Sequence, residues 1–231
     1  MLRINQLDIA FGDKVLLEKG ELSLDKPELV ILAGKNGAGK STLLKMLCGL
    51  QPIAKGELYL NGDKILAGIQ AFELKDIISF MPSTPPQQCF LTVEELVNTS
   101  HIKGNSIFGK QGIDTIKYLR KVGMESFTNQ VFNSLSDGEK QKVMIARALA
   151  QETPILLLDE PLAFLDYPSK IELLELLKEV CKKEQKLIIF SSHDLELSMQ
   201  QVDAMILMKN KDLTILNSKM LNETNPATLF Q

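Results

Sequence analysis

Gly34-Lys35-Asn36-Gly37-Ala38-Gly39-Lys40-Ser41 decides the fold of this chain. The stretch satisfies G-x-x-x-x-G-K-[ST] in full. It also stands where that pattern must stand, after the apolar run Leu29-Val30-Ile31-Leu32 and before the helical run Thr42–Leu47. Glycines let the backbone wrap closely round an anion, so that successive N–H groups and the N-terminus of the following helix point at the same phosphate. Lys40 would neutralise β and γ phosphates, and the Ser41 hydroxyl would take a Mg²⁺ position. The preceding apolar run is continuous rather than alternating, as in a strand buried on both faces of a parallel sheet.

Three further runs extend that sheet: Ile155-Leu156-Leu157-Leu158, Leu187-Ile188-Ile189-Phe190 and Ala204-Met205-Ile206-Leu207-Met208, separated by helix-compatible stretches. The first of them ends in Asp159-Glu160. Ligands of open α/β sheets bind at strand ends, so Asp159 can hold Mg²⁺, mainly through its water shell, and Glu160 can act as general base on an attacking water. By itself an apolar strand ending in two acids is commonly a capping pair. Beside a phosphate loop it supplies the metal and positioned water that phosphoryl transfer needs.

Upstream, Leu2–Ile9 alternates apolar and polar side chains, and Glu57–Leu60 ends in the turn pair Asn61-Gly62, so both read as strands of an antiparallel sheet. From about Val93 to Ala150 strand signals stop. Val93–Val97, Ile113–Val122 and Glu139–Leu149 read as helices inserted into the α/β core. Ser169-Lys170-Ile171-Glu172 reads as a capping box opening a helix that buries Ile171, Leu174, Leu177 and Cys181 and exposes Glu172, Glu175, Lys178 and Lys182.

The chain has 231 residues, 45% of them apolar, enough for a substantial core but not for two large independent domains. It contains no run of about 18 apolar residues, the length a membrane-spanning helix needs. Met1-Leu2-Arg3-Ile4-Asn5 lacks the basic and apolar regions of a secretory signal, so a cytoplasmic location is expected. The net charge of −3 comes from interspersed acids and bases, which gives no case for nucleic acid or an anionic membrane surface. Cys48, Cys89 and Cys181 lack metal-ligand spacing and read as buried free thiols.

Leu135-Ser136-Asp137-Gly138-Glu139-Lys140-Gln141 is an ordinary helix cap in isolation, but it lies between the phosphate loop and the carboxylate strand. Here the chain resembles the ABC ATPase family, whose signature usually reads Leu-Ser-Gly-Gly-Gln. The resemblance runs from Phe11 to Asp194. It implies an α/β fold of P-loop NTPase (RecA-like) type: a parallel-sheet core with an N-terminal antiparallel β subdomain over 1–82 and 151–231, and a helical subdomain over 83–150. It implies that ATP is held by Gly34, Asn36, Gly37, Ala38, Gly39, Lys40, Ser41 and Thr42, with Phe11 stacking on adenine. Ser136 and Gly138 would grip the γ phosphate of a second subunit, and Asp166 would sense that subunit's site. His193 would orient the water that Glu160 activates, so the catalytic set is Glu160, His193 and Lys40. His101 matches nothing and reads as a surface residue.

Where most members carry a glutamine that ligates Mg²⁺, this chain has Ser83, which leaves Ser83 as a candidate metal ligand beside Ser41 and Asp159. Asp137 and Glu139 also depart from the usual signature. Leu91–Val97, the form of the signature and Ala163-Phe164-Leu165-Asp166 look most like importers of iron-siderophore, haem and cobalamin type. The resemblance thus implies an ATPase that pairs with a second copy or another ATPase subunit and drives import through a separate integral permease at the inner face of the cell membrane. The alternatives are a non-transport or degenerate regulatory ABC ATPase, or a P-loop kinase or GTPase. The last would have no reason to carry both Leu135–Gln141 and His193.

Overall fold

The structure, a computed structural model, describes residues 1–12, 14–65, 71–101 and 114–230. The elements run β1 (Leu2–Phe11), β2 (Lys14–Leu24), β3 (Leu29–Gly34), α1 (Lys40–Leu47), β4 (Glu57–Leu60), β5 (Asp63–Ile65), α2 (Ala71–Leu74), β6 (Ile78–Met81), α3 (Val93–Asn98), α4 (Thr115–Lys121) and α5 (Asp137–Ala150). Then follow β7 (Ile155–Leu158), α6 (Tyr167–Glu184), β8 (Leu187–Ser191), α7 (Leu195–Met199), β9 (Ala204–Lys209), β10 (Asp212–Asn217) and α8 (Ser218–Glu223). A six-stranded sheet has the order β10-β9-β3-β8-β7-β6, all neighbours parallel except β10 with β9. A four-stranded antiparallel sheet has the order β2-β1-β4-β5. The chain is thus an α/β protein with the phosphate-loop strand β3 inside its parallel sheet.

Strand side chains alternate between faces, so each central strand feeds two cores. Val30, Leu32, Ile155, Leu157 and Ile189 pack with Leu43 and Leu47 of α1 and with Ile4 and Leu58 of the antiparallel sheet. Leu29, Ile31, Leu156, Leu158, Ile188 and Phe190 pack with Ile145, Leu149, Leu174 and Leu177 of α5 and α6. Full burial of such a side chain contributes about 1.5–3 kcal/mol, which is why the continuous apolar runs are also the most central strands. The same core takes in Val93 and Val97 of α3 and Leu119 of α4. Among the described residues no helix is long and apolar enough to cross a membrane. Cys48, Cys89 and Cys181 are buried and free, as expected.

Three local readings need correction. Leu2–Ile9 does not alternate throughout: Leu2 and Ile4 are buried, then Leu7 and Ile9, so the parity changes. A bulge resolves it. The β1–β2 register shifts between Ile4 and Leu7, and Gln6 takes φ 49, which absorbs the extra residue and keeps all four apolar side chains on one face. The cap of α6 is Asp166 rather than Ser169. The Asp166 carboxyl accepts from the Ser169 N–H at 3.0 Å, and Pro168, without an N–H to satisfy, fits the first turn that Ser169 was expected to precede. Along α6, Leu173 and Val180 join the buried stripe, while Ile171 and Lys178 are only half-buried. The antiparallel sheet also holds β2 and β5, which alternation did not single out. The β4–β5 turn is Asn61-Gly62 with φ 52 and 92, the two-residue hairpin geometry that this pair favours.

Candidate active site

The carboxyl ends of β3, β8 and β7 lie side by side, with Leu32 opposite Ser191 and Leu158 opposite Phe190. Everything that follows each strand therefore converges on one edge of the sheet. After β3 the chain turns through the glycine loop into α1, whose N-cap is Gly39 at φ 105. A Cβ at Gly39 would meet Met208 Cε at 3.1 Å and Leu16 Cδ1 at 3.2 Å, so both conformation and space demand glycine here. Lys40 folds back over the loop and donates from Nζ to the Gly34 carbonyl at 2.9 Å. Burial pulls the Lys40 pKa down, and the nearby Glu160 and Asp159 carboxyls oppose that shift.

Ser41 Oγ donates to Asp159 Oδ1 at 3.0 Å, and Ser191 Oγ donates to the same oxygen at 2.7 Å. The Ser191 hydroxyl in turn accepts from the Glu160 N–H at 2.9 Å. Asp159 is buried, while Glu160 is half-buried with φ 52. Glu160 Oε1 lies 3.1 Å from His193 Nε2 on an exposed loop beyond β8. Burial raises the Glu160 pKa, and His193 followed by Lys40 oppose it. A half-buried carboxyl in contact with a histidine is a candidate general base.

These groups border an open cleft of about 500 Å³ lined by Asn36, Gly37, Ala38, Gly39, Lys40, Ser41, Thr42, Glu160 and His193, with Lys14 and Leu16 of β2 closing one side. Lys14, Leu16 and Ser191 carry no sequence signal of their own. They reach the site only because the antiparallel sheet and β8 are brought to it. The side chains of Phe11 and His101 lie outside the described residues. Ser83 is half-buried just past β6 and is not among the residues lining the cleft.

Ser136, Gly138 and Asp166 are likewise absent from this cleft. Ser136 caps α5 in a full capping box. Its Oγ accepts from the Glu139 N–H at 3.4 Å, and Glu139 Oε2 accepts from the Ser136 N–H at 2.8 Å. The Ser136 hydroxyl, 2.7 Å from Glu139 Oε2, and then the Ser136 N–H hold the Glu139 pKa below its usual value. Asp137 points to solvent and lies 3.8 Å from Lys140. A Cβ at Gly138 would sit 3.0 Å from the Phe164 carbonyl, so the start of α5 abuts the stretch before Asp166.

Ser41 and Asp159 offer hard oxygen donors in contact with each other, which suits Mg²⁺. That ion takes one or two protein oxygens and fills its shell with phosphate oxygens and water. Among the described residues no group of three or more His, Cys, Asp or Glu could hold a metal without such help.

The family described as ABC transporter matches residues 17–163, more than half of the chain. The chain is 35% identical over 237 aligned residues to the iron(3+)-hydroxamate import ATP-binding protein FhuC of Bacillus subtilis, with 100% of this chain and 86% of that protein covered. It is 33% identical to the probable siderophore transport system ATP-binding protein YusV of the same organism, over 89% of this chain and 76% of that one. Among solved structures, a dimeric bacterial ABC transporter cassette superposes with a TM-score of 0.82 at 25% identity, covering 94% of this chain and 99% of that one. A post-hydrolysis dimeric state of the same cassette, bound to ADP and Pi, gives 0.80 at 25% identity over the same shares. Both the phosphate loop and the carboxylate strand lie within the matched segment, and this chain belongs to the ABC transporter family as one of its ATP-binding ATPases.

Proposed function

We propose that this chain is the ATP-hydrolysing subunit of an importer and powers uptake of an iron-siderophore-type cargo through a separate membrane permease. One observation carries the reading: Lys40, Ser41, Glu160 and His193, drawn from the ends of three parallel strands, line one cleft, with the buried Asp159 bonded to Ser41 and Glu160 in contact with His193. The cargo class comes from the names of the similar import proteins, because no residue of a soluble motor need touch what the permease carries.

In this reading the loop from Gly34 to Thr42 cradles the ATP phosphates with backbone N–H groups, Phe11 would stack on adenine and Lys40 balances phosphate charge. Mg²⁺ held by Ser41 and Asp159, with Ser83 as a further candidate, would offset charge on the β and γ phosphates. Glu160 takes the proton of the attacking water, and its raised pKa improves it as a base, while His193 orients that water. Ser136 and Gly138 of a second copy, set away from this chain's own cleft, would complete the site, with Asp166 at the junction. The core over 1–82 and 151–231 and the helical unit over 83–150 would close as two bodies.

Phe90 is 81% exposed beside the partly exposed Leu91 and Val131, and the backbone bond from Phe132 N–H to the Leu91 carbonyl, 2.9 Å, holds the two segments together. An apolar patch next to the Ser83–Gln88 loop suits docking to a permease and would place the subunit at the inner membrane face.

Gel filtration in Mg²⁺-ATP and phosphate release, for the wild type and Glu160→Gln, test this. We expect the variant to elute as an ATP-dependent dimer and to lose about 10²-fold or more in turnover. Hydrolysis by a strict monomer would refute the two-chain site, and full turnover by Glu160→Gln would refute the role of Glu160. Phosphate release from neither, even with the permease present, would mark a degenerate subunit.

A further inference from the structure

Gln141 lies in the second turn of α5 and is fully buried, yet its amide leaves its own helix. Nε2 donates to the Glu160 carbonyl at 2.9 Å. On the other side of the same α-carbon the Glu160 N–H is held by Ser191 Oγ, also at 2.9 Å. The Ala163 N–H also donates to the Glu160 carbonyl, at 3.1 Å, and the buried side chains from α5 and β8 add a tertiary hold on both peptide groups that flank Glu160. The conformation they pin is left-handed, φ 52, which costs energy in any residue with a side chain and persists only where the surroundings enforce it. From that backbone the carboxyl reaches to within 3.1 Å of His193.

The remaining half of the Gln141 amide separates positioning from simple cohesion. Its Oε1 is buried and has no hydrogen-bond partner among the described residues. The orientation of the amide is fixed, because the atom facing a carbonyl oxygen must be the donor. A buried acceptor without a donor weakens the fold, and an apolar side chain of similar size would avoid that cost. Glutamine is therefore a poor choice for packing here and a good one for gripping the Glu160 carbonyl.

We infer that Gln141 is a positioning residue for ATP hydrolysis: it locks the Glu160 peptide in the conformation that presents the carboxyl to water. Because it sits on the helix headed by Ser136 and Gly138, it ties that geometry to the placement of α5. The inference rests on Glu160 being the base.

Gln141→Leu and Gln141→Met in the full chain test it through single-turnover phosphate release, ATP affinity and thermal melting, each variant also made in a Glu160→Gln background. Loss of one neutral hydrogen bond should slow hydrolysis roughly tenfold, leave ATP affinity within about twofold, and leave melting unchanged or raised. In the Glu160→Gln background the residual rate should change less than about twofold, because two residues acting through one step are not additive. If the leucine variant does not fold, the unbranched methionine carries the test. An unchanged rate beside an inactive Glu160→Gln overturns the role of Gln141 alone. An equal slowing in both backgrounds, or one matched by lost affinity or folded fraction, makes Gln141 merely structural and also overturns it. A fully active Glu160→Gln overturns the base assignment and this inference together.

Discussion

Ser191, Ser192 and Ser198 are all buried, and the same replacement by alanine should affect them very differently. The Ser191 hydroxyl donates to the carboxyl of Asp159 at 2.7 Å, itself only 1% exposed, and accepts from the Glu160 N–H at 2.9 Å. Alanine removes a bond to an acidic group, about 1.5–3 kcal/mol, and strands a peptide N–H, about 1–3 kcal/mol. Allowing for local relaxation, Ser191→Ala should cost about 2–4 kcal/mol. Among the described residues Ser192 accepts a single neutral bond, from the Asp194 N–H at 3.0 Å, so Ser192→Ala should cost about 1 kcal/mol. Ser198 Oγ has no partner among the described residues, and Ser198→Ala should be neutral or stabilising. For a chain of this size each kcal/mol moves Tm by about 2–4 °C, so Ser191→Ala should melt on the order of 10 °C below the wild type. Differential scanning calorimetry of the nucleotide-free proteins reads all three. A Ser191→Ala protein melting within about 2 °C of the wild type, or a series in which Ser198→Ala falls furthest, would refute the reasoning.

Gly138→Ala would push a Cβ to 3.0 Å from the Phe164 carbonyl, a side-chain carbon against fixed backbone. It should cost about 1–3 kcal/mol in melting and weaken the ATP-dependent dimer of Glu160→Gln, read by gel filtration. Glu57 is held at about 2, down from 4.5, first by Lys64 and then by Tyr59 and Asn5. Its contribution to stability is complete above 4.5 and disappears as pH falls toward about 2. Melting curves from about pH 6 to about 2.5 should therefore fall less steeply for Glu57→Gln than for the wild type.

By itself the sequence determined whatever is written in short stretches. The spacing of Gly34, Gly39, Lys40 and Ser41 defines a phosphate loop because backbone conformation and the first helical turn are local. The unbroken run Ile155–Leu158 declares a strand buried on both faces, and Ser136 with Glu139 declares a helix start, since each depends on side chains within a few residues. Local rules misplaced the start of α6, where Ser169 and Glu172 match a cap but Asp166 and Pro168 fit the turn better. They also missed the bulge at Gln6, which shows itself only when β1 is paired with β2.

Only the tertiary structure decided what meets what. Strand β3 sits between β8 and β9, more than a hundred residues away, because sheet order follows from burying both faces at once rather than from chain order. That order brings Ser41 to Asp159 and Ser191 to both acids, and the packing of α5 on the sheet brings Gln141 to the Glu160 carbonyl. The left-handed turn at Glu160 is likewise a tertiary product. Local sterics disfavour it; the Ala163 N–H closes the turn on the Glu160 carbonyl at 3.1 Å, and α5 and β8 add bonds from Gln141 and Ser191 on either side of Glu160.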